Sequence, residues 1–582
     1  MGVVTGSFSL GSYESIVDAA LAEMKKNRVI ERIWAKDHTV WKPDPTEITN
    51  RLGWLHSPQD MAGKLHEIDA VVAAVRADGY THALLLGMGG SSLAPEVFRK
   101  TFGVREGYLD LEVLDSTDPG AVLTYAERFD VHTTLFIVST KSGGTVETFS
   151  FMKYFYNIVA EALGPDEAGR HFIAITDPGS KLADIAEMYH FRTAFLNNPD
   201  IGGRYSALSY FGLFPAALIG IDVKTLLDRA IMVVDDELSG EVPAADEING
   251  SFLGAVLGEL AKAGRDKATF IFSPQIASFG DWLEQLIAES TGKEGKGIVP
   301  VVVEPLGSMD VYGDDRVFIC IYLEGDDEEC GKLFSLERAD HPIICVKLRD
   351  PYDLGAHCFL WEMATIVAGH RLGINPFDQP DVEAAKALTR KALALYMEKG
   401  GMPADNPALS AHGIAVYGDV QATEPAEALK IFIEQAKPGA YVALQAYLHP
   451  TAETDAALCK LCIDLRDTFR LAVSVGYGPR FLHSTGQLHK GDAGRGLFIQ
   501  LTADDPLDTP IPDEMGLSDS SITFGVLKNA QASGDRQALV NAGRPVIRFH
   551  LGNDIAGGLK ILTEADPVRK KEIMYDKETE KK

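Results

Sequence analysis

A short β-branched and aromatic run, Thr134 to Val138, leads into Ser139-Thr140-Lys141-Ser142-Gly143-Gly144-Thr145-Val146-Glu147-Thr148, after which the pattern reads as a helix over Val146 to Leu163. The run has the length and residue types of a strand buried in a parallel sheet. The glycine pair permits a tight strand-to-helix turn. Such a turn gathers donors. The hydroxyls of Thr140, Ser142 and Thr145, the charge of Lys141, and the amides and dipole of the following helix converge on one point, which makes a cradle for an anion such as phosphate. The bland alternative is an ordinary turn with Ser and Thr as caps.

A second copy of the design lies upstream. Thr81 to Leu86 runs into Gly87-Met88-Gly89-Gly90-Ser91-Ser92, and Leu93-Ala94-Pro95-Glu96 reads as a first helical turn with Pro near its start. Ligands of an open parallel sheet bind outside the carboxyl ends of the strands near a switch point, so two such loops can face one ligand. A phosphorylated small molecule is the expected partner. The upstream loop lacks the glycine spacing of a dinucleotide fingerprint, and the chain holds no Walker loop.

The chain has 582 residues, 46% of them hydrophobic, and a formal charge of -28. That length suits several domains, and the charge argues against a nucleic-acid partner, since phosphate backbones are bound by clustered Lys and Arg. A local cationic pocket for a small anion is compatible with it, because screening fades the global field within about 10 Å at 0.1 M salt. Met1 to Leu10 lacks the features of a signal peptide, and the apolar patch Tyr210 to Val223 is broken by Pro215 and too short to span a bilayer. A soluble cytoplasmic protein without a membrane partner is expected. The six cysteines (Cys320, Cys330, Cys345, Cys358, Cys459, Cys462) are not expected to form a disulfide framework, and the lone C-x-x-C at Cys459 and Cys462 reads as packing rather than zinc or redox chemistry.

Along the chain, helical spacing marks Tyr13 to Trp34 and Met61 to Asp78. Strands near Leu111 to Leu114, Leu135 to Val138 and Phe172 to Ile175 then alternate with helices. Gly240 to Asn249 is a boundary, after which strands at Ala268 to Phe272, Ile298 to Val303, Val317 to Leu323 and Ile343 to Leu348 alternate with helices at Asp281 to Glu289, Cys358 to Gly369 and Val382 to Met397. Glu398 to Ala411 reads as a connection, and Asp576 to Lys582 as a frayed charged end. The tail adds strands at Tyr441 to Leu448, Leu497 to Leu501 and Val546 to Leu551, with the helix Glu453 to Leu471 and a polar loop at Asp504 to Ser521. The expected class is α/β, with residues 1–242 forming the N-terminal helices and first parallel-sheet domain and 243–400 the second; 401–582 is either a third domain or, as the preferred reading, folds back to complete the second.

In the helix ending Glu284-Gln285-Leu286-Ile287-Ala288-Glu289-Ser290-Thr291-Gly292-Lys293, Trp282, Leu283, Leu286 and Ile287 supply an apolar face, while Gln285 and Glu289, at i and i+4, share the other. A carboxylate in the last turn is opposed by the helix dipole, which raises its proton affinity toward that of a general base. By spacing alone, Glu289 reads rather as a solvated residue before a Gly-Lys stop.

Taken with Gly202-Gly203-Arg204-Tyr205-Ser206 and Phe377-Asp378-Gln379-Pro380-Asp381-Val382-Glu383-Ala384-Ala385-Lys386, these blocks resemble, in family order, the signatures of glucose-6-phosphate isomerase. The length and tail resemble the isomerase half of fused transaldolase/glucose-6-phosphate isomerase proteins, and the isomerase-like region starts almost at residue 1, with no transaldolase part before it. The resemblance implies two sugar-isomerase (SIS, flavodoxin-like) α/β/α sandwich domains, a phosphosugar substrate, no metal or cofactor, and a homodimer. It also implies roles. Gly90, Ser91, Thr140, Lys141, Ser142 and Thr145 match the phosphate-side block; Glu289 matches the base moving a proton between C2 and C1, Arg204 the cation facing the enediolate, and Gln285, Gln379 and Lys386 sugar contacts, with Lys386 also at the ring-opening end.

The family's ring-opening His is displaced. No matching motif lies between Glu289 and Lys386, whereas Leu482-His483-Ser484-Thr485-Gly486-Gln487 comes after both and resembles a segment of short bacterial isomerases. His483 is therefore the candidate, with His489 behind it, and the tail must then fold back onto an active site, its own or a partner subunit's. Two other readings stand beside this one: a broader isomerase that also takes mannose 6-phosphate, and a non-catalytic phosphosugar sensor. A sensor would need the phosphate cradle but no proton-transfer set. An amidotransferase synthase is disfavoured, because Gly2 stands where its Cys nucleophile would follow Met1.

Overall fold

The computed structural model describes residues 4–239, 247–337, 339–401 and 406–563. The expected domain limit at 242/243, Gly2 and the tail end Asp576 to Lys582 lie outside the described residues, as does part of the 398–411 connection.

Strand β1 (Thr5–Ser9) opens the chain and joins a later sheet. The first sheet holds β2 (His82–Gly87), β3 (Asp110–Leu114), β4 (Thr134–Ser139), β5 (Phe172–Thr176) and β6 (Thr193–Leu196), in the order β3-β2-β4-β5-β6 and parallel throughout. Alternation sorts its side chains into two cores. Ala83, Leu85, Leu135 and Ile137 face one, and Leu84, Leu86, Phe136 and Val138 the other. The chain leaves β2 toward β3 on one side and returns through β4 on the other, so the loops after β2 and β4 are neighbours at a switch point, with Gly87 in register with Ser139.

The second sheet comprises β7 (Lys267–Phe272), β8 (Val299–Val301), β9 (Arg316–Leu323) and β10 (Ile343–Leu348), with β1 added antiparallel, in the order β1-β10-β9-β7-β8. The helices Gly250–Lys262 and Leu354–Leu372 are packed together in the large core this sheet shares with the first.

The tail folds back on the second lobe, but it does so with a sheet of its own. Strands β11 (Leu409–Ala411), β12 (Ile414–Tyr417), β13 (Tyr441–Tyr447), β14 (Ala472–Tyr477), β15 (Gly496–Thr502) and β18 (Val546–His550) pair in the order β11-β12-β18-β15-β13-β14, while β16 (Pro510–Ile511) and β17 (Ile522–Thr523) make a small ribbon. The expectation that 401–582 completes the second domain is corrected accordingly. Both edges of the second sheet are closed to it: β1 caps one, and the other is the three-residue β8, whose central Pro300 has no N–H to donate. Contact is made through side chains instead, with Val299 and Val301 packed in one cluster with Tyr441, Phe498 and Leu539. Lys267 Nζ also donates to Gly439 O at 2.8 Å. The tail reaches the first lobe as well, where Phe524 and Leu527 pack with Phe151 and Met152.

Three smaller expectations are corrected. Tyr13 to Trp34 forms two helices, Glu14–Lys26 and Val29–Trp34, because Arg28 takes a left-handed conformation (φ 52°) that interrupts the hydrogen-bond ladder. Met61 to Asp78 is likewise split, into Ser57–Ala62 and Leu65–Ala77. Cys320 and Cys330 form a disulfide, since the turn after β9 returns the chain so that their Cα atoms are 5.8 Å apart. Cys462 is buried and titrates far above a free thiol because of that burial, as expected of a packing residue.

Candidate active site

The helix Phe279–Thr291 follows β7 and lies where the three lobes meet. Its apolar face is buried as expected, and its polar face is buried too, with Gln285 4% and Glu289 5% exposed. Burial raises the Glu289 carboxyl above its ordinary range, and Arg204 and Gln285 pull it partly back. Arg204 Nη1 lies 3.7 Å from Glu289 Oε1. The guanidinium is locked from behind, its Nε donating to Ser290 Oγ at 2.7 Å and its Nη2 to Pro376 O at 2.6 Å. A buried carboxylate with a fixed cation beside it is chemically able to abstract a proton next to a carbonyl.

Backbone contact fixes the Arg204 turn. A Cβ on Gly90 would lie 2.0 Å from Gly203 O, so Gly90 lets the loop after β2 meet Gly203–Tyr205 directly. The β2 and β4 loops also join, Ser139 Oγ donating to Ser91 O at 3.0 Å. Thr140 and Thr145 share a hydroxyl hydrogen bond of 3.1 Å across the β4 loop. Lys141 is engaged by Asp177 and by Pro199 O rather than standing free.

Two cavities meet at this loop. One, about 460 Å³, is lined by Lys141, Gly202, Gly203, Arg204 and Gln379. The other, about 310 Å³, is lined by Ser142, Thr145, Glu147, Lys386, His483 and Gln531. Of the predicted residues, Lys141, Arg204 and Gln379 line the first and Ser142, Thr145, Lys386 and His483 the second, while Gly90, Ser91, Thr140, Gln285 and Glu289 line neither. Lys386 is exposed and pairs with Glu383 Oε1 at 2.9 Å.

The Leu482 to Gln487 segment is clamped onto the helix. Gln285 Nε2 donates to His483 O at 2.7 Å and to Glu289 Oε2 at 3.0 Å, which leaves Gln285 Oε1 buried with no hydrogen-bond partner. Ser484 Oγ donates to Glu284 Oε1 at 2.7 Å, and Gln487 Nε2 bridges Gly292 O at 3.0 Å and Asp381 Oδ2 at 2.7 Å. His483 itself comes from the same chain as Glu289. Its Nε2 lies 3.0 Å from Glu147 Oε1. Burial drives the Glu147 carboxyl up, but the charge and hydrogen bond of His483 outweigh it and hold the group below its ordinary value. His489 is the weaker candidate in the structure as well. It is buried with Gln445 and Phe498, and desolvation holds it well below the normal imidazole range, so it stays neutral.

Sequence reasoning missed Glu147 as a functional residue, although it stands in the phosphate-loop block. Its partner lies 336 positions away. It missed Lys293 too. That side chain is buried, donates to Asp378 O at 2.6 Å and Asp378 Oδ1 at 2.9 Å, and is depressed by burial and by Arg204 to about 8.

Residues 63–310 match the phosphoglucose isomerase family model. The matched stretch includes both loops, Arg204, Gln285 and Glu289 and ends before Gln379, Lys386 and His483. A glucose-6-phosphate isomerase of Rubrobacter xylanophilus is 28% identical over 379 residues, covering 55% of this chain and 84% of that protein. One from Parabacteroides distasonis is 27% identical over 414 residues, covering 62% and 90%. The crystal structure of a glucose-6-phosphate isomerase from Chlamydia trachomatis superposes with a TM-score of 0.54 at 18% identity, over 66% of this chain and 87% of that one, a likeness of fold. A hypothetical protein from Thermus thermophilus matches with the same TM-score of 0.54 at 25% identity, over 67% and 100%.

Proposed function

We propose that the chain is a glucose-6-phosphate isomerase, an aldose–ketose isomerase interconverting glucose 6-phosphate and fructose 6-phosphate. The observation that carries the reading is the buried Glu289 beside Arg204, linked through Gln285 to the segment of His483, whose pair with Glu147 lines a cavity together with the β4 loop. The phosphate sits in the β2 and β4 loops, where Ser91, Thr140, Ser142 and Thr145 supply donors and Lys141 exchanges its Asp177 contact for it. His483 and Lys386 move the protons that open the ring. Glu289 takes the C2 proton and returns it to C1 through a cis-enediol, while Arg204, which stays charged, stabilises the oxygen that becomes anionic. Gln285 and Gln379 hold sugar hydroxyls.

The resemblance to the isomerase half of fused transaldolase/glucose-6-phosphate isomerase proteins extends the reading to a cytoplasmic homodimer. Among the described residues, no helix is long and apolar enough to cross a membrane.

The test is turnover of fructose 6-phosphate in deuterium oxide with a chelator present. Glucose 6-phosphate carrying deuterium at C2 is the expected product. Bound sugar with neither product nor exchange would overturn the reading in favour of a phosphosugar sensor.

A further inference from the structure

The helix Phe524–Asn541 in the tail brings one uncharged side chain into the ring-opening pair. Gln531 is buried, and its Nε2 donates to Glu147 Oε1 at 2.7 Å, the same oxygen that faces His483 Nε2 at 3.0 Å. Its other end is fixed from the first lobe, where the buried Thr117 hydroxyl donates to Gln531 Oε1 at 2.8 Å. The carboxylate fixes the sense of the amide: turned over, it would set its oxygen against Glu147, whereas the Thr117 hydroxyl can donate or accept and follows. The backbone carrying it is fixed as well. A Cβ on Gly534 would lie 2.5 Å from Thr389 Oγ1 and 2.8 Å from Thr389 N, so this helix is seated directly on Val382–Lys399, the helix that bears Lys386.

We infer that Gln531 is a positioning residue for ring opening, holding Glu147 ionised and aimed so that His483 keeps its proton on Nε2 and presents Nδ1 to the substrate. The inference rests on the isomerase reading. The physical reason is that a buried carboxylate with two donors on one oxygen has less affinity for a proton than one with a single donor. A carboxylate kept ionised also dictates which imidazole nitrogen bears hydrogen. The other groups acting on the pair are Lys386 and Tyr447 around Glu147 and the Glu289 carboxylate toward His483; the Lys490–Asp535 ion pair adjoins Tyr447. Lys490 and Arg390 line the same cavity. Gln531 carries no charge, so removing its amide changes hydrogen bonding without adding or deleting one.

The experiment compares the wild type with Gln531→Met and Thr117→Val. Three readouts are taken: the pH profile of kcat/KM for fructose 6-phosphate, anomer interconversion of glucose 6-phosphate in a Glu289→Gln background, and the His483 imidazole titration by NMR. With the amide gone, Glu147 gains proton affinity. The acid limb of kcat/KM should rise by about one pH unit, equivalent to about a tenfold loss of activity on that limb. Anomer interconversion should fall by about tenfold, the His483 titration should be displaced, and Thr117→Val should move all three the same way by less. An unchanged acid limb and unchanged His483 titration in a folded Gln531→Met protein would overturn the inference. If Gln531→Met does not fold, an unmoved titration in Thr117→Val would overturn it equally. A wild type that does not isomerise would defeat the functional reading instead, and the His483 titration would still decide the role of Gln531.

Discussion

At the scale of single residues, the candidate base and its cation are set by burial more than by sequence spacing. By spacing alone Glu289 reads as a solvated residue before a helix stop. Its helix is enclosed on both faces, and that enclosure raises its proton affinity while Arg204 keeps it available as an anion. Glu289→Gln should lower kcat by about 10² to 10⁴ while sugar-phosphate binding persists, measured by coupled turnover beside a binding titration. Arg204→Met removes the charge that pulls Glu289 down. The carboxyl should then protonate at higher pH, so the acid limb of kcat/KM should move up, with kcat reduced by about 10² to 10³ in the pH–rate profile. A limb moving down would contradict the assignment of Glu289 as base.

At the scale of elements, the strands and helices flanking the site were legible because their periodicities are strong. The helix Val146–Leu163 and strand β10 have the expected limits, and the two loops meet at the predicted switch point. Shorter or more polar pieces were not legible. β14 and the helix Phe524–Asn541 went unread, the latter because small and polar residues are interleaved along it and its burial comes from neighbouring lobes. One glycine ties element geometry to the site. A Cβ on Gly292 would stand 2.3 Å from Leu488 Cα, a backbone atom that cannot swing away. Gly292→Ala should cost about 1 to 3 kcal/mol of stability through overpacking, seen in denaturant unfolding. It should also lower activity by lifting the His483 segment from the helix.

At the scale of the whole molecule, the candidate site draws on three lobes of one chain: Ser142, Thr145 and Glu147 from the first, Lys386 from the second and His483 and Gln531 from the tail line one cavity, and Glu289 is tied to it through Gln285, whose Nε2 donates to both Glu289 Oε2 and His483 O. His483 meets Gln285 and Glu147 within one chain, so mixing inactive Glu289→Gln and His483→Ala proteins under subunit-exchange conditions should restore no activity. Recovery toward a quarter of the wild-type rate would show that a partner subunit supplies the histidine. The sequence by itself determined the α/β class and the two adjacent hydroxyl-rich loops, because strand period, glycine turns and hydroxyl-rich helix starts are local properties of the chain. Only the tertiary structure decided that the tail builds a separate sheet, that Cys320 meets Cys330, and that Glu147, His483, Gln531 and Thr117 form one hydrogen-bonded set. Those outcomes depend on which edges are already closed and which surfaces remain to be buried. Local pattern does not encode contacts between side chains hundreds of positions apart.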